Sequence, residues 1–244
     1  MKAELQAPLQ DLRAALTHAA GPARALSEPV RLGFVTPAAA GPFMVDIVRE
    51  FRQRHPESTV EEIDVGLNQD PLACLHRKEI DLLAIRLPIN RDGLTVGPVV
   101  SSENRVLAVC IDHPLAEYNA VSWDAVAEYL VAAVPAFPIE AYRHLVPEYS
   151  PSGIAIRRGP EVRSFAELLL RVARGEVVHP TVASLSLYHR HPRVTTVPLL
   201  DPSPSRSGLI WSTRDIHTAA AAFVDCARQI LAESRLEPVS GGDR

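Results

Sequence analysis

The sequence contains few cysteines, and their distribution excludes several classes of protein. Cys74, Cys110 and Cys226 are the only three among 244 residues. An odd, scattered set without metal-ligand spacing indicates neither a disulfide framework nor a zinc site. We therefore expect reduced thiols and a cytoplasmic location.

Long hydrophobic runs and an excess of positive charge are also missing. No apolar run approaches the roughly 20 residues that cross a bilayer, and residues 1–20 have no continuous hydrophobic segment of the kind found in secretory signals. The net charge of −4 argues against a broad electrostatic footprint for nucleic acid. With 47% apolar and 22% charged residues, the composition is typical of a soluble globular protein without membrane contact.

Motifs for catalysis or cofactor binding are missing too. The sequence has no G-x-S-x-G, no P-loop and no G-x-G-x-x-G. His189 and His191 flank Arg190 in a short basic patch, but no spacing supplies the further ligands that a metal site needs. We predict no cofactor, no metal and no catalytic residue.

The chain does contain a regular alternation of strand and helix patterns. Strands are predicted at Val30–Val35, Thr59–Val65, Leu82–Ile85 and Val106–Cys110, with helices between the first three at about 42–55 and 71–77. Such a βαβαβ series predicts a mainly parallel sheet with helices on both faces. A second series follows, with predicted strands at 130–134, 153–157, 177–178, 194–200 and 208–212 and predicted helices at 123–129, 162–173, 181–188 and 218–234.

Both ends of the chain differ from this alternation. Leu5, Leu9, Leu12 and Leu16 line one face of a predicted helix within residues 1–28. This helix is either the tail of a longer helix, a docking segment, or a surface helix packed on its own domain. The tail at 237–244 is predicted to be disordered.

Six short segments stand in a characteristic order along the chain. They are R-L-G-F-V (31–35), F-R-Q-R-H-P (51–56), E-I-D-L-L-A-I-R-L-P (79–88), D-H-P-L-A (112–116), L-L-R-V-A-R-G (169–175) and V-P-L-L (197–200). In order and spacing they resemble the effector-binding domain of LysR-type transcriptional regulators, over about residues 30–235.

The resemblance implies an α/β fold of the periplasmic-binding-protein type 2 kind. Two Rossmann-like lobes are joined by two crossing strands, and the ligand lies in the cleft between them. We expect lobe I at 30–109 plus 207–236 and lobe II at 113–203, with crossings near 110–112 and 203–207. Family members carry an N-terminal winged helix-turn-helix and a linker helix. Residues 1–28 resemble only the last turns of that linker, so we expect DNA binding only through a domain that this sequence lacks.

Arg86 is the leading candidate for ligand contact, because it stands just past a buried strand. Open α/β sheets place binding groups at this position, and a guanidinium pairs bidentately with a carboxylate. In the resembling family an arginine here often faces the cleft, although it could instead bridge the lobes through an Asp or Glu. The further lobe I candidates are Thr36, Pro37, Ala38, Leu67, Ser101 and Ser102. Thr36 could equally be a plain helix cap, and the two serines could cap a loop.

On lobe II, Pro135 and Phe137 follow a predicted strand and are expected in the cleft wall. Phe137 could stack on a ligand ring or belong to the core. His179 and Thr181 are placed at a strand-to-helix turn. His179 could donate to a ligand oxygen, or it could be an exposed loop histidine.

These features predict a sensor of a small organic anion, a carboxylate above all. The resemblance also implies a homodimer in which the helix at 43–55 packs against lobe II of the partner. Arg49, Arg52 and Arg54 could supply contacts at its rim or be merely solvated. The alternative is a stand-alone protein in which the receptor fold serves as an enzyme or a solute-binding protein. An enzyme would have to use Arg86, His179 or Glu176.

Overall fold

The structure, a computed structural model, describes residues 26–200 and 203–234. Most of the predicted helix within residues 1–28, and the tail at 237–244, lie outside the described residues. The strands are β1 (Val30–Phe34), β2 (Val60–Asp64), β3 (Leu82–Arg86), β4 (Leu94–Glu103), β5 (Arg105–Cys110), β6 (Val131–Ala133), β7 (Arg158–Glu161), β8 (His179–Val182), β9 (Val194–Pro198) and β10 (Ser205–Ser212). The α-helices are α1 (Pro37–Ala40), α2 (Met44–Arg54), α3 (Pro71–His76), α4 (Trp123–Ala127), α5 (Ile139–Leu145), α6 (Phe165–Ala173), α7 (Leu185–Tyr188) and α8 (Thr218–Ser234). No helix in these described ranges is both long and apolar enough to span a membrane.

The first sheet has five strands in the order β2-β1-β3-β10-β4. All five residues of β3 are buried, and successive side chains enter different cores. Leu82 and Ala84 pack in a core with α2 and α8, whereas Leu83 and Ile85 pack in a core with α3. Side chains alternate across a strand, so a strand that is apolar at every position requires cover on both faces, as the sequence predicted.

The predicted mainly parallel arrangement is correct for part of this sheet. β1 pairs in parallel with β2 and β3, but β10 is antiparallel to both β3 and β4. β10 enters the sheet after the chain has passed through the second sheet, and the right-handed crossover that makes neighbours parallel does not apply to such a return. The β4 strand itself was not predicted.

Gly41 brings the loop after β1 close to β4. It ends the short helix α1 with a φ of 84°, a conformation that strongly favours glycine. A Cβ at this position would lie 2.3 Å from the carbonyl oxygen of Val100. Close approach of backbone to backbone therefore fixes α1 against β4, and with it the carbonyl groups of that helix.

The second sheet has three strands in the order β8-β5-β9, all antiparallel. A parallel pair, β6 and β7, lies beside it, and Val131 of β6 bridges to Val178. The strand Arg105–Cys110, which the sequence assigned to lobe I, therefore pairs within the second sheet. The chain changes sheets between Glu103 and Arg105, not near 110–112. The division into lobes at the other predicted boundaries stays a prediction.

Two further predictions of secondary structure are wrong. The strand predicted at 153–157 is displaced to Arg158–Glu161, and the helix predicted at 181–188 is reduced to Leu185–Tyr188 because His179–Val182 is a strand. All four residues of that strand are buried, so no polar-apolar alternation indicates it, and its proline is unusual in a strand. By contrast, the final helix occupies the predicted residues Thr218–Ser234.

Candidate functional site

A cavity opens between the two sheets. Its volume is about 60 Å³ measured to the centres of water-sized molecules, enough for several waters or a small organic group. Seven predicted site residues line it: Thr36, Ala38, Leu67, Arg86, Phe137, His179 and Thr181. The other lining residues are Val35, Ala39, Val134, Tyr142, Leu145, Phe165, Val182, Leu185 and His189.

The first-sheet wall comes from the carboxyl ends of three adjacent strands. Thr36 follows β1, Leu67 follows β2 and Arg86 is the last residue of β3. Because these strands are parallel neighbours, their ends meet at one edge of the sheet. Ligand sites of open α/β sheets occur at such an edge, which explains why residues 50 positions apart in the chain meet here.

Among the described residues that line this cavity, Arg86 is the one with a formal positive charge, and its side chain is 8% exposed. Its Nη2 donates to the carbonyl oxygen of Ala38 at 3.1 Å and to Oε1 of Glu103 at 2.7 Å. Its Nη1 is buried and has no hydrogen-bond partner among the described residues. Burial lowers the pKa of Arg86, opposed by the charge of Glu103. A buried donor without an acceptor is costly, and this one lies at the cavity.

Glu103 connects Arg86 to the second sheet. Its Oε1 also accepts from the hydroxyl of Ser101 at 2.9 Å, and its Oε2 accepts from the backbone N–H of Ser184 at 3.0 Å. Burial alone would raise the pKa of Glu103, but hydrogen bonds from Ser184 and Arg86 outweigh it and lower that pKa. Arg86 therefore pairs with a carboxylate of its own sheet, and that carboxylate reaches the second-sheet side through Ser184, while Nη1 of Arg86 has no partner among the described residues.

Thr36 acts as a helix cap. Its Oγ1 accepts from the backbone N–H of Ala39 at 3.0 Å, and its backbone is extended, the geometry of an N-cap. Pro37 takes the first helical position, where its missing N–H costs nothing, and does not line the cavity. Thr36 still contributes to the cavity wall, so a cap and a wall residue coincide.

His179 lies on β8 in the second-sheet wall, 5% exposed. The alternative of an exposed loop histidine is therefore wrong. Its Nδ1 is buried without a hydrogen-bond partner in the described part of the chain. Burial, reinforced by the nearby charge of Arg158, lowers the pKa of His179 to about 4, so the ring is neutral near pH 7. Thr181, two residues further along the strand, faces the same way and also lines the cavity.

Aromatic rings form much of the remaining second-sheet wall. The ring of Phe165 stacks on that of His189 with centroids 4.6 Å apart and an interplanar angle of 2°. The hydroxyl of Tyr142 donates to the carbonyl oxygen of Ala132 at 2.8 Å, and Tyr142 also lines the cavity. Phe137 completes the set. Flat apolar walls of this kind favour a ligand with a planar or compact apolar body.

The sequence can now be placed among known proteins. A profile of the LysR substrate binding domain matches residues 23–232. This chain belongs to that family. Accordingly, the fold of this LysR substrate-binding domain is α/β of the periplasmic-binding-protein type 2 kind. A search of curated proteins found no significant match.

Solved structures agree with the family on the fold. The effector-binding domain of BenM with its effector benzoate is 24% identical, with a TM-score of 0.63 over 89% of this chain and 98% of that chain. The effector-binding domain of QuiR in complex with shikimate is 20% identical, with a TM-score of 0.66 over 86% and 99%. HinK, a LysR family transcriptional regulator from Pseudomonas aeruginosa, is 17% identical, with a TM-score of 0.64 over 94% and 79%. At such identities the likeness concerns the fold.

Four predicted site residues do not line the cavity of this LysR domain. Pro37 takes the first helical position of α1, and Pro135 faces a different inter-sheet hollow with Arg91. Ser101 and Ser102 line a second hollow on the other side of Glu103. Their predicted contact with a ligand stays a prediction, and in this structure Ser101 supports Glu103. Glu176, one of the three residues offered for the enzyme alternative, is paired with Arg171 and does not line the cavity.

Sequence reasoning missed Glu103 and most of the aromatic wall. Glu103 stood in a polar stretch, S-S-E-N, that resembled an ordinary loop. Tyr142 and Leu145 lie on α5, a helix with only two buried residues and therefore no long apolar stripe. One signal was present for Tyr142, because a large aromatic with a polar tip after a proline-rich turn often packs against a sheet.

Proposed function

We propose that this domain senses a small organic anion, a carboxylate, bound in the cavity between the two sheets. The observation that carries the proposal is that Arg86 lines a cavity formed by residues of both sheets, and that its buried Nη1 has no hydrogen-bond partner among the described residues. A carboxylate oxygen is the acceptor that best matches a guanidinium N–H. Thr36, Ala38, Leu67, Phe137, His179 and Thr181 would surround the ligand.

Similar structures support this ligand class. BenM is described with benzoate and QuiR with shikimate, and both compounds are ring-bearing carboxylates. Their domains share the fold of this chain, not its side chains, so the ligand itself remains to be identified. In the role of a regulator's sensor, the domain would act in the cytoplasm.

The sensing step would be a change in how the two sheets are held together. A ligand shifts a conformational equilibrium only if it binds one arrangement more tightly than the other. Arg86 and Glu103 belong to the first sheet, and Ser184 belongs to the second-sheet side of the cavity. An anion that draws Arg86 towards the cavity would weaken its contact with Glu103 and so act on that connection.

A homodimer through the helix predicted at 43–55 would transmit the change. On α2, Val45 is 74% exposed beside Arg49 and Arg52, a small apolar centre with a charged rim. Arg49 and Arg54 have partners within the chain, Asp46 and Glu50. Their role in a dimer would be to form the rim rather than to anchor it.

The experiment compares two variants that differ only in Arg86. Glu103→Gln keeps the guanidinium, whereas Arg86→Met with Glu103→Gln removes it without leaving a buried unpaired charge. Thermal unfolding is followed with millimolar benzoate, phenylacetate, cyclohexanecarboxylate and shikimate. We expect at least one to raise the Tm of the wild type and of Glu103→Gln but not that of the double variant. The proposal would be overturned if the carboxylates raised the Tm of both variants equally, or if none of them raised the Tm of the wild type.

A further inference from the structure

The cavity is already close to electrical neutrality before any ligand enters. Arg86 contributes one positive charge at its wall, and Glu103, 2.7 Å from it, compensates that charge. The other titratable side chains that line the cavity are His179, His189 and Tyr142. Tyr142 has a pKa raised by burial, and burial lowers the pKa of both histidines, so all three are neutral near pH 7.

A carboxylate that enters this neutral, mostly apolar space would bring an uncompensated negative charge. Burying an unpaired charge is costly, and the usual response is a change of protonation. Arg86 can supply a hydrogen bond through Nη1, but its charge is shared with Glu103. A second source of positive charge at the cavity is therefore needed for tight binding.

His179 is placed to supply it from the opposite wall. It is 5% exposed, lines the cavity and has a buried Nδ1 without a partner among the described residues. A buried polar nitrogen on a residue that lines a cavity is a group for which a ligand can provide the missing partner. His189 is partly buried and stacked on Phe165, and its Nε2 is likewise buried without a hydrogen-bond partner among the described residues, so it is the second candidate that the variants below must test.

The groups packed around His179 make its protonation depend on the ligand. Arg158 on β7 acts on it as a like charge, and Arg86 faces the same cavity from β3. Tyr142 on α5 and Thr181 on β8 are neutral, and the paired residue on β5, Ala108, is apolar. Glu103 bonds to Ser184 and Arg86 instead. In the ligand-free cavity a proton on His179 thus meets the like charge of Arg158 and no free anion among the described lining residues, and a bound carboxylate supplies the opposite charge.

We propose that the cavity takes an apolar monocarboxylate together with one proton, and that His179 carries this proton. The proton comes from the solvent to Nδ1, which then donates to one carboxylate oxygen while Arg86 Nη1 donates to the other. No bond other than N–H forms, and the buffer is the source of the proton. A dianion should not bind tightly in this cavity, because the one proton on His179 balances only one of its two negative charges. This inference rests on the proposed anion-sensing function.

The test measures proton uptake directly. The carboxylate of the thermal panel that stabilises the wild type most is titrated by calorimetry in two buffers of different ionisation enthalpy, with the matching primary amide as the neutral control. We expect about one proton taken up per carboxylate and none per amide, and a Kd that rises about tenfold per pH unit between about pH 5.5 and 7. Phthalate, a dianion, should bind at least about tenfold more weakly than benzoate.

Two matched variants identify the proton carrier. His179→Gln should abolish the proton uptake, whereas His189→Gln, which changes the other cavity histidine, should retain it. Glu103→Gln removes the charge that compensates Arg86, so it should bind the carboxylate more tightly and take up less than one proton. The buffer comparison on the wild type needs no variant and stands even if His179→Gln fails to fold.

The outcomes separate this inference from the function on which it rests. A carboxylate that binds without proton uptake, through displacement of Glu103 for example, overturns the inference and leaves anion sensing intact. If proton uptake is lost in His189→Gln and kept in His179→Gln, the assignment of the proton to His179 is wrong. If phthalate and benzoate bind equally tightly, the preference for a monocarboxylate is wrong. If no carboxylate of the panel binds, both proposals fall.

Discussion

The guanidinium of Arg86 and the carboxylate of Glu103 form a buried ion pair, with 2.7 Å between Nη2 and Oε1. Arg86 ends β3 at the edge of the cavity, and Glu103 ends β4 immediately before the chain enters the second sheet. The second oxygen of Glu103 accepts from Ser184. This ion pair therefore connects three parts of the molecule. They are the proposed ligand site, the point where the chain passes from the first sheet to the second, and the second-sheet side of the cavity.

Removing only one member of this ion pair should destabilise the folded protein more than removing both members. Arg86→Ala leaves a buried carboxylate without its cation and should lower the free energy of unfolding by about 3–5 kcal/mol. Arg86→Met with Glu103→Gln removes both charges and should cost clearly less. Urea denaturation of the three proteins at neutral pH measures the difference. Equal losses in the two variants would contradict the assigned pairing.

Stability should fall at mildly acidic pH because of His179. The pKa of His179 in the folded protein is about 4, below the ordinary value of 6.5. Between these two pH values the unfolded chain therefore binds a proton at this ring, whereas the folded chain does not. The stabilising contribution of the neutral ring is complete above about pH 6.5 and is lost as the pH falls towards about 4. In His179→Gln the decline of unfolding free energy over this window should be shallower. An identical slope in both proteins would show that the ring titrates normally.

Asp81 should contribute to stability at neutral pH and not in acid. It lies just before β3 and bonds to Arg31 of β1 through Nε at 3.0 Å and through the backbone N–H at 2.9 Å. Burial would raise the pKa of Asp81, but hydrogen bonds from His217 and Arg31 outweigh it and hold that pKa well below its usual range. Its contribution is therefore present above about pH 4 and is lost progressively as the pH falls below that value. Asp81→Asn should destabilise the protein at pH 7, with a difference that narrows in acid.

Dimerisation through α2 should depend on Val45, which is 74% exposed. Val45→Asp places a charge at the apolar centre of the proposed interface and should weaken the dimer at least about tenfold in sedimentation equilibrium. Ile154→Asp, at a residue that is 49% exposed in a turn of the second-sheet region, is the matched control. A dimer equally tight in both variants would place the interface elsewhere.

Arg91 and Glu140 form a second ion pair between the two halves, with Nε and Oε1 at 2.5 Å. Arg91 lies between β3 and β4, and Glu140 is in the first turn of α5. Because the pair is exposed, Arg91→Glu should lower the Tm modestly in low salt, and the loss should fade in high salt. Arg91→Glu with Glu140→Arg should restore the Tm, and a double variant no better than the single one would contradict a direct pair.

Short-range hydrophobic patterns in the sequence correctly predicted the strands and helices that depend mainly on neighbouring residues. The all-apolar run at Leu82–Ile85 indicated a strand covered on both faces, and the helical stripe at Thr218–Ser234 gave the last helix with its ends. His179–Val182 was misassigned because a strand buried at every position lacks alternation. α5 was missed because it buries only Ala141 and Tyr142.

The sequence by itself determined that Arg86 stands at the end of a buried strand and that an aromatic residue, Phe137, follows a strand on the other half. His179 was predicted at a turn and lies in β8. Only the tertiary structure decided what those groups meet. Glu103 reaches Arg86 because β4 and β3 both flank β10 in one sheet, and His179 loses its solvent because β8 pairs with β5 and forms a cavity wall. Strand ends follow from short-range periodicity, whereas counter-charges and desolvation come from residues far apart in the chain, so the charge state of the site is a property of the fold.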